Sequence, residues 1–353
     1  MSGRSNVVKI LRKLPALPGL DPFVILIGVM VFSAWRFPKP GAVDDFLSIK
    51  TVAHYGVSMI FLFYGLGLTL GKFLKSLGNY SLHITIHAST FLVFPLFILL
   101  LYHFFVDDAN RSLWLGAFYL AALPSTVSSS VVMVSLARGN VPAAIFNASL
   151  SSILGVFITP IWMSVFLSTK GGDYNLAGSI FDLMLIVLLP VGLGMLFART
   201  RPGVWVMQHR TLTNRFDQAV VLLIIYTSFC DSFSHHVFDD FTLQKIAVIA
   251  LLMIALFFTI FGIVSAACHV LHFNREDRIA AQFCGSKKSL MHGTAMSRVL
   301  FRGDISVGVI LLPLMLYHAL QLIIVSILAK SMRKTAAADI DDQYGAGDIL
   351  KTL

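Results

Sequence analysis

The sequence predicts an all-α polytopic membrane protein of ten transmembrane helices, arranged as two inverted five-helix repeats, and three observations carry that prediction. Of the 353 residues, 57% are hydrophobic and only 13% are charged, and the mean hydropathy is +0.81. Soluble domains carry about 25% charged residues, so this chain lacks the charge to cover a soluble surface. That excludes a soluble enzyme, and the high hydrophobicity excludes a disordered chain. The apolar residues run continuously, without the alternation of barrel strands. Finally, a short motif recurs at corresponding places in the two halves, as set out below.

A bilayer core about 30 Å thick needs about 20 apolar residues per helix. Ten stretches qualify: 21–36, 51–71, 80–106, 112–137, 141–168, 176–199, 216–234, 244–272, 277–300 and 304–330. The first is short and follows Arg12 and Lys13, as a signal peptide would. No small-x-small cleavage site comes after it; Trp35-Arg36-Phe37-Pro38 does, so it reads as a retained span. The expected organisation is a cytoplasmic N-terminus (1–20), a first repeat (21–170), a second repeat (171–330) and a polar, disordered cytoplasmic tail (331–353). The three cysteines, Cys230, Cys268 and Cys284, lie far apart within apolar stretches and read as small buried hydrophobes.

Charge placement sets the orientation. With both termini on one side, that side holds 17 of the 27 Lys and Arg residues, from Arg4 to Lys351, and the other holds 7. The bias puts both termini in the cytoplasm, in the inner plasma membrane if the cell is bacterial. Asp44, Asp45, Asp107, Asp108, Asp173, Asp239 and Asp240 fall on the outer loops. The net charge of +9 is therefore mainly a topology signal. Membrane lipid is the expected partner and nucleic acid is not. The Arg-rich loop 199–215 suits anionic headgroups or a partner protein.

Leu136-Ala137-Arg138-Gly139-Asn140 closes the fourth span, and Leu300-Phe301-Arg302-Gly303-Asp304 closes the ninth, 164 residues later. With five spans per half the two copies face opposite sides, as in the inverted repeats of secondary transporters. Both spans contain a break. The fourth holds Pro124-Ser125-Thr126-Val127-Ser128-Ser129-Ser130; proline removes a donor, and hydroxyls re-satisfy the freed backbone. The ninth holds Gly285-Ser286-Lys287-Lys288-Ser289. A lysine at mid-span costs about 2.5–3.5 kcal/mol, so both lysines must face a polar cavity or a partner group. Moving the pair into a loop leaves two stubs too short to cross. Interrupted segments at matching positions point to a midplane binding site, although serines also pack helix against helix.

These residues resemble the bile acid:sodium symporter family. Ser128–Val141 is similar to its fourth helix and Gly67-Leu68-Thr69-Leu70 to the end of its second. Phe283–Leu290 is similar to the ninth-helix motif of the subgroup that includes the vertebrate seventh member and bacterial relatives. The resemblance covers roughly 15–335. It implies a panel of helices 1, 2, 6 and 7 against a core of helices 3–5 and 8–10, with unwound helices 4 and 9 crossing near the middle. It also implies organic-anion substrates such as bile acids, and sodium coupling. One sodium site of the family matches Ser128, Ser129, Ser130 and Val131, with Ala144 and Ala148. Polar ligands have shifted here to Asn147, Ser149 and Ser151, so a displaced sodium site falls on Ser128, Ser130 and Asn147. The second falls on Phe283, Lys287 and Thr90, where an ammonium repels a cation strongly.

Two expectations follow: Lys287 is a tethered cation that attracts an anion, or it titrates and couples transport to protons. His83 and His87 share a helix face near Thr90 and suit a proton relay, or plain interhelical hydrogen bonds. His54 and His318 are weaker candidates; His235 and His236 read as solvated. Asp182 is the clearest acid inside a span, with Asp217 near an end. The sequence-level site is thus Ser128, Ser129, Ser130, Asn147, Ser151, Thr90, Gly285, Ser286, Lys287 and Ser289. The leading reading is a secondary active transporter of a small or steroid-like organic anion, working by alternating access, without a cofactor beyond a sodium ion. The resemblance also implies an alternative, a regulator of calcium or secretory-pathway homeostasis acting through a partner. No Gly-x-Ser-x-Gly, His-Glu-x-x-His or Walker sequence occurs. An intramembrane hydrolase built on Ser128–Ser130 and His87 would lack a positioned base, so an enzyme is not expected.

Overall fold

The computed structural model describes residues 22–42, 48–67, 79–107, 110–168, 184–239, 241–301 and 306–344. All the regular elements among them are helical. Among the described residues six helices are individually long and apolar enough to cross a membrane: Ile49–Leu66, Tyr80–Phe105, Val141–Leu167, Arg210–Ser234, Leu243–Val270 and Val307–Arg333. Pro22–Arg36 is apolar but shorter, and Leu185–Phe197 turns by 99° into Arg201–Gln208. Leu251, Leu252, Val248 and Phe258 on the Leu243–Val270 helix are exposed. So large an apolar surface suits lipid contact.

Four short helices occupy the two segments in which the sequence has breaks: Arg111–Ala122 and Ser128–Leu136, then Arg275–Gly285 and Leu290–Leu300. Each is too short to span a bilayer, since a helix rises about 1.5 Å per residue. Pro124 lacks an N–H and disfavours helix at the residue before it; Leu123 accordingly turns extended. In the second segment Ser289 caps the new helix, its hydroxyl accepting from His292 N.

Helix 22–36 packs on 210–234, and 49–66 packs on both 189–197 and 210–234. Helix 307–344 packs on 111–122 and on 243–270. The approach of 49–66 to 189–197 is glycine on glycine. A Cβ at Gly194 would lie 2.5 Å from the Leu62 carbonyl oxygen and 2.8 Å from Gly65 Cα. Gly194→Val is expected to push these helices apart and cost about 1–3 kcal/mol of overpacking strain. The check is the thermal unfolding midpoint in detergent; an unchanged midpoint would refute the close approach.

Several boundaries differ from the sequence reading. The seventh helix begins at Arg210, and residues 201–208 form a short helix inside the expected Arg-rich loop. The last helix continues to Tyr344, ten residues past Lys334, where a disordered tail was expected. An anchored helix propagates cheaply, and Ala336–Ala338 are strong helix formers. Residues 1–20, Leu68-Thr69-Leu70, Asp182 and the Arg302-Gly303-Asp304 corner lie outside the described residues. The first corner is described. Arg138 takes φ 58°, and Gly139 N donates to Val134 O at 2.8 Å, closing the helix with a left-handed cap.

Candidate functional site at the crossing of two helix breaks

Helix 80–105 carries a π-turn, Ser89–Val93, in which Phe94 N bonds to Ser89 O. Pro95 follows and supplies no N–H. The carbonyls of Thr90 and Phe91 therefore lack their helical donors. Trp162 Nε1 donates to Phe91 O at 2.7 Å, and Lys288 Nζ donates to Thr90 O at 2.7 Å.

The end of helix 111–122 frees carbonyls in the same way. Ser125 N, the α-helical donor for Ala121 O, goes instead to Ser151 Oγ at 2.9 Å. Thr159 Oγ1 donates to Ala122 O at 2.8 Å. Lys288 Nζ donates to Ala121 O at 2.6 Å and to Leu123 O at 2.8 Å. The ammonium also lies 4.2 Å from the Phe94 ring centroid, a cation–π contact. Lys288 thus sits at the negative end of one helix, fully buried.

The two breaks touch through their backbones: Ser289 N donates to Pro124 O at 2.9 Å. The second break is braced from the last helix. Gln321 accepts from Lys288 N at 2.9 Å and donates to Lys288 O at 2.8 Å. Tyr317 Oη donates to Ser286 O at 2.6 Å, and Ser89 Oγ donates to Gly285 O at 3.1 Å. Every one of these side chains replaces a helical partner that the break has removed.

Lys287 is also fully buried but lies differently. Its one hydrogen bond among the described residues runs to Ser129 Oγ at 2.6 Å. Ser129 donates onward to Thr126 Oγ1 at 3.0 Å, which pairs with Ser130 Oγ at 3.0 Å. Lys287, Ser129 and Ser130 of the sequence-level site are therefore joined in one chain through Thr126. Ser128 heads its helix. Asn147 is engaged elsewhere: its oxygen pairs with His83 Nδ1 at 3.0 Å and its amide donates to Ala143 O at 2.8 Å. Ser130 and Asn147 thus hold different partners, and no hydrogen bond joins them. Thr90 Oγ1 back-bonds to Ile86 O, and Ser286 Oγ to Gln282 O. Both ring nitrogens of His87 are buried without a hydrogen bond, beside the Phe91 ring at 6.3 Å. The hydroxyls of Ser125 and Thr294 are buried and have no hydrogen-bond partner among the described residues. Among the described residues no three His, Cys, Asp or Glu side chains are placed to hold a metal ion. All three cysteines are free and buried.

One end of the core holds a second polar centre. Asp277 is 5% exposed. Its carboxylate accepts from Asn79 Nδ2 at 2.8 Å, Asn140 Nδ2 at 2.6 Å and Asn274 Nδ2 at 3.0 Å. The oxygens of these three asparagines accept in turn from Leu82 N, Ala143 N and Asp277 N. Each asparagine therefore caps a helix, and three helix N-termini converge on one carboxylate, which suits their positive ends.

Sequence reasoning missed Lys288 as the caged cation, together with Gln321, Tyr317, Asp277 and the three asparagines. Asn followed by a helical run was a readable capping signal at each site, but its convergence was not. Gln321 was readable as a lone amide in an apolar span.

The matched family model covers residues 21–334 and describes the SBF-like CPA transporter family. An uncharacterized protein of Pseudomonas aeruginosa is 35% identical over 313 residues, 88% of this chain and 92% of its own length. YfeH of Escherichia coli, a symporter by name, is 31% identical over 315 residues, 89% of this chain and 93% of its own. The sodium/bile acid cotransporter 7 of Rattus norvegicus is 31% identical over 317 residues, 88% of this chain and 92% of its own. With its apolar helices and buried helix breaks, the chain is an integral membrane protein, and it belongs to the SBF-like CPA transporter family.

Proposed function

We propose that the protein is a secondary active transporter of a small or steroid-like organic anion, driven by a sodium or proton gradient and working by alternating access. One observation carries the reading: two short-helix pairs meet at their breaks, with Ser289 N on Pro124 O at 2.9 Å and Lys287 Nζ on Ser129 Oγ at 2.6 Å. Counting each pair as one broken span gives ten spans, in two repeats (21–170 and 171–330). An inverted repeat exchanges helix 22–36 with 189–197 and 49–66 with 210–234, so it maps the packed pair 22–36/210–234 onto the packed pair 189–197/49–66. That correspondence supports the repeat, and the Lys and Arg distribution supports cytoplasmic termini.

In this reading the substrate anion meets the positive N-termini of helices 128–136 and 290–300 and the Lys287 ammonium. Ser129, Ser130, Ser289 and the unpartnered hydroxyls of Ser125 and Thr294 supply the polar groups of its seat, and Ser128 heads one of the two helices. The bile acid in the name of the rat relative supports an organic anion, and the sodium in that name supports a cation gradient. His83, His87 and Lys287 are the groups for a proton gradient.

The test is uptake of a panel of labelled organic anions into vesicles holding only this protein, in sodium and in choline, at two pH values. Gradient-driven accumulation of at least one anion is expected; accumulation of none overturns the reading. Lys287→Ala is expected to cut that uptake by about tenfold or more, the loss of roughly 1.4 kcal/mol of binding or transition-state stabilisation. Its thermal midpoint should hold, because one hydrogen bond is lost and a buried charge is relieved. Normal uptake by this variant removes Lys287 from the site.

A further inference from the structure

We propose that the Lys288 ammonium is a resident cation, seated in a monovalent-cation site of main-chain oxygens that the fold builds and the chain itself fills. Three features of the site support this. The first is hydrogen count. The carbonyls of Thr90, Ala121 and Leu123, at 2.7, 2.6 and 2.8 Å, can only accept. Only a protonated amine has three hydrogens to give, so satisfying all three oxygens needs the ammonium.

The second is the origin of the oxygens. Each has lost its helical donor for a separate local reason. Thr90 O loses its donor through the π-turn and Pro95, Ala121 O through diversion of Ser125 N to Ser151, and Leu123 O through the helix end before Pro124. Without the ammonium, three buried acceptors would be stranded. The third is charge. The Phe94 ring completes the shell at 4.2 Å, and among the described residues no carboxylate pairs with Lys288. A shell of neutral dipoles and a ring face suits a single positive charge, as carbonyl rings do in cation pores. Divalent ions are usually met by carboxylates among their oxygen ligands.

Gln321 grips both backbone groups of Lys288, which fixes the stem and keeps the ammonium from swinging out. The ion at this position is therefore covalently part of the protein. It compensates the end of helix 111–122 permanently and does not exchange with solution. On the transporter reading, coupling ions must bind somewhere else; the seat itself does not depend on that reading.

The test removes the tether and supplies the ion. Lys288→Ala, purified in choline buffer, is expected to unfold about 5 °C or more below the wild type, a shift of the size that stranding buried acceptors produces. Methylammonium or ethylammonium should raise its midpoint, or its yield of folded protein, saturably. The same salts should leave the wild type unchanged. Lys288→Met keeps the stem and removes the charge; it should lose stability like the alanine variant and gain nothing from the amines. A methionine variant as stable as the wild type overturns the proposal. So does an alanine variant whose midpoint and folded yield both ignore the amines. Because stability is the readout, failure of anion uptake in vesicles would overturn the transport reading and leave this one standing.

Discussion

Asp277→Ala is expected to destabilise the protein by about 3–5 kcal/mol, the range seen when one partner of a buried charged cluster is removed. Three amide donors, from Asn79, Asn140 and Asn274, would lose their acceptor at once. A hydrogen bond to a charged group contributes about 1.5–3 kcal/mol, and relaxation of the side chains keeps the total below the simple sum. The loss extends beyond the carboxylate, because each asparagine also caps a helix through its oxygen. Caps contribute about 1 kcal/mol each, and they depend on the amides being held. Asp277→Asn should fall between wild type and alanine, since one oxygen remains to accept. Denaturant or thermal unfolding of the purified variants checks the order. Equal midpoints for all three proteins would show that the asparagines cap independently of Asp277.

Gln321→Leu is expected to cost about 2–5 kcal/mol. The side chain pairs with both N–H and C=O of Lys288, and these groups are buried where no helix can serve them. Each stranded group costs about 1–3 kcal/mol, and leucine supplies no replacement. His318 would also lose its partner, now 3.0 Å from Gln321 Nε2. Gln321→Glu separates the two halves of the clamp. An ionised carboxylate still accepts from Lys288 N but faces Lys288 O with like charge, so it should recover part of the loss. Thermal midpoints of the two variants provide the measurement. A leucine variant that melts with the wild type would mean that water or another group serves the break.

Much of this was readable in advance, for reasons that lie in particular residues. Pro124 and the Gly285–Ser289 run violate the rules of an apolar helix, and the chain breaks at both. Both lysines call for a polar cavity or a partner group; both are fully buried, Lys288 on three carbonyls and Lys287 on the Ser129 hydroxyl. Which lysine does what was not readable. Neighbouring residues on non-helical backbone point in directions that no helical period fixes, so the caged ammonium falls on Lys288 and the hydroxyl chain on Lys287. Asn147 shows the opposite difficulty. Its amide fits a cation ligand by type, but its oxygen pairs with His83 one helix away. The Asp277 centre draws on positions 79, 140, 274 and 277, and a single sequence carries no signal that three loops meet.

The π-turn at Ser89–Val93 has a consequence for how this helix tolerates changes of length. A π-turn is an α-helix with one residue inserted, and one residue is about 100° of helical rotation. Deleting any one of the five would restore the α-helical register, with the gap at Pro95 remaining, and turn Phe94–Phe105 by that angle relative to Tyr80–Ala88. Phe94 would leave the ammonium, and Ile98 would leave the core it now enters. Point substitutions on the lipid side of this helix are tolerable, but single-residue deletions within 89–93 are not. Here a gain or loss of one residue is a rotation of half a span.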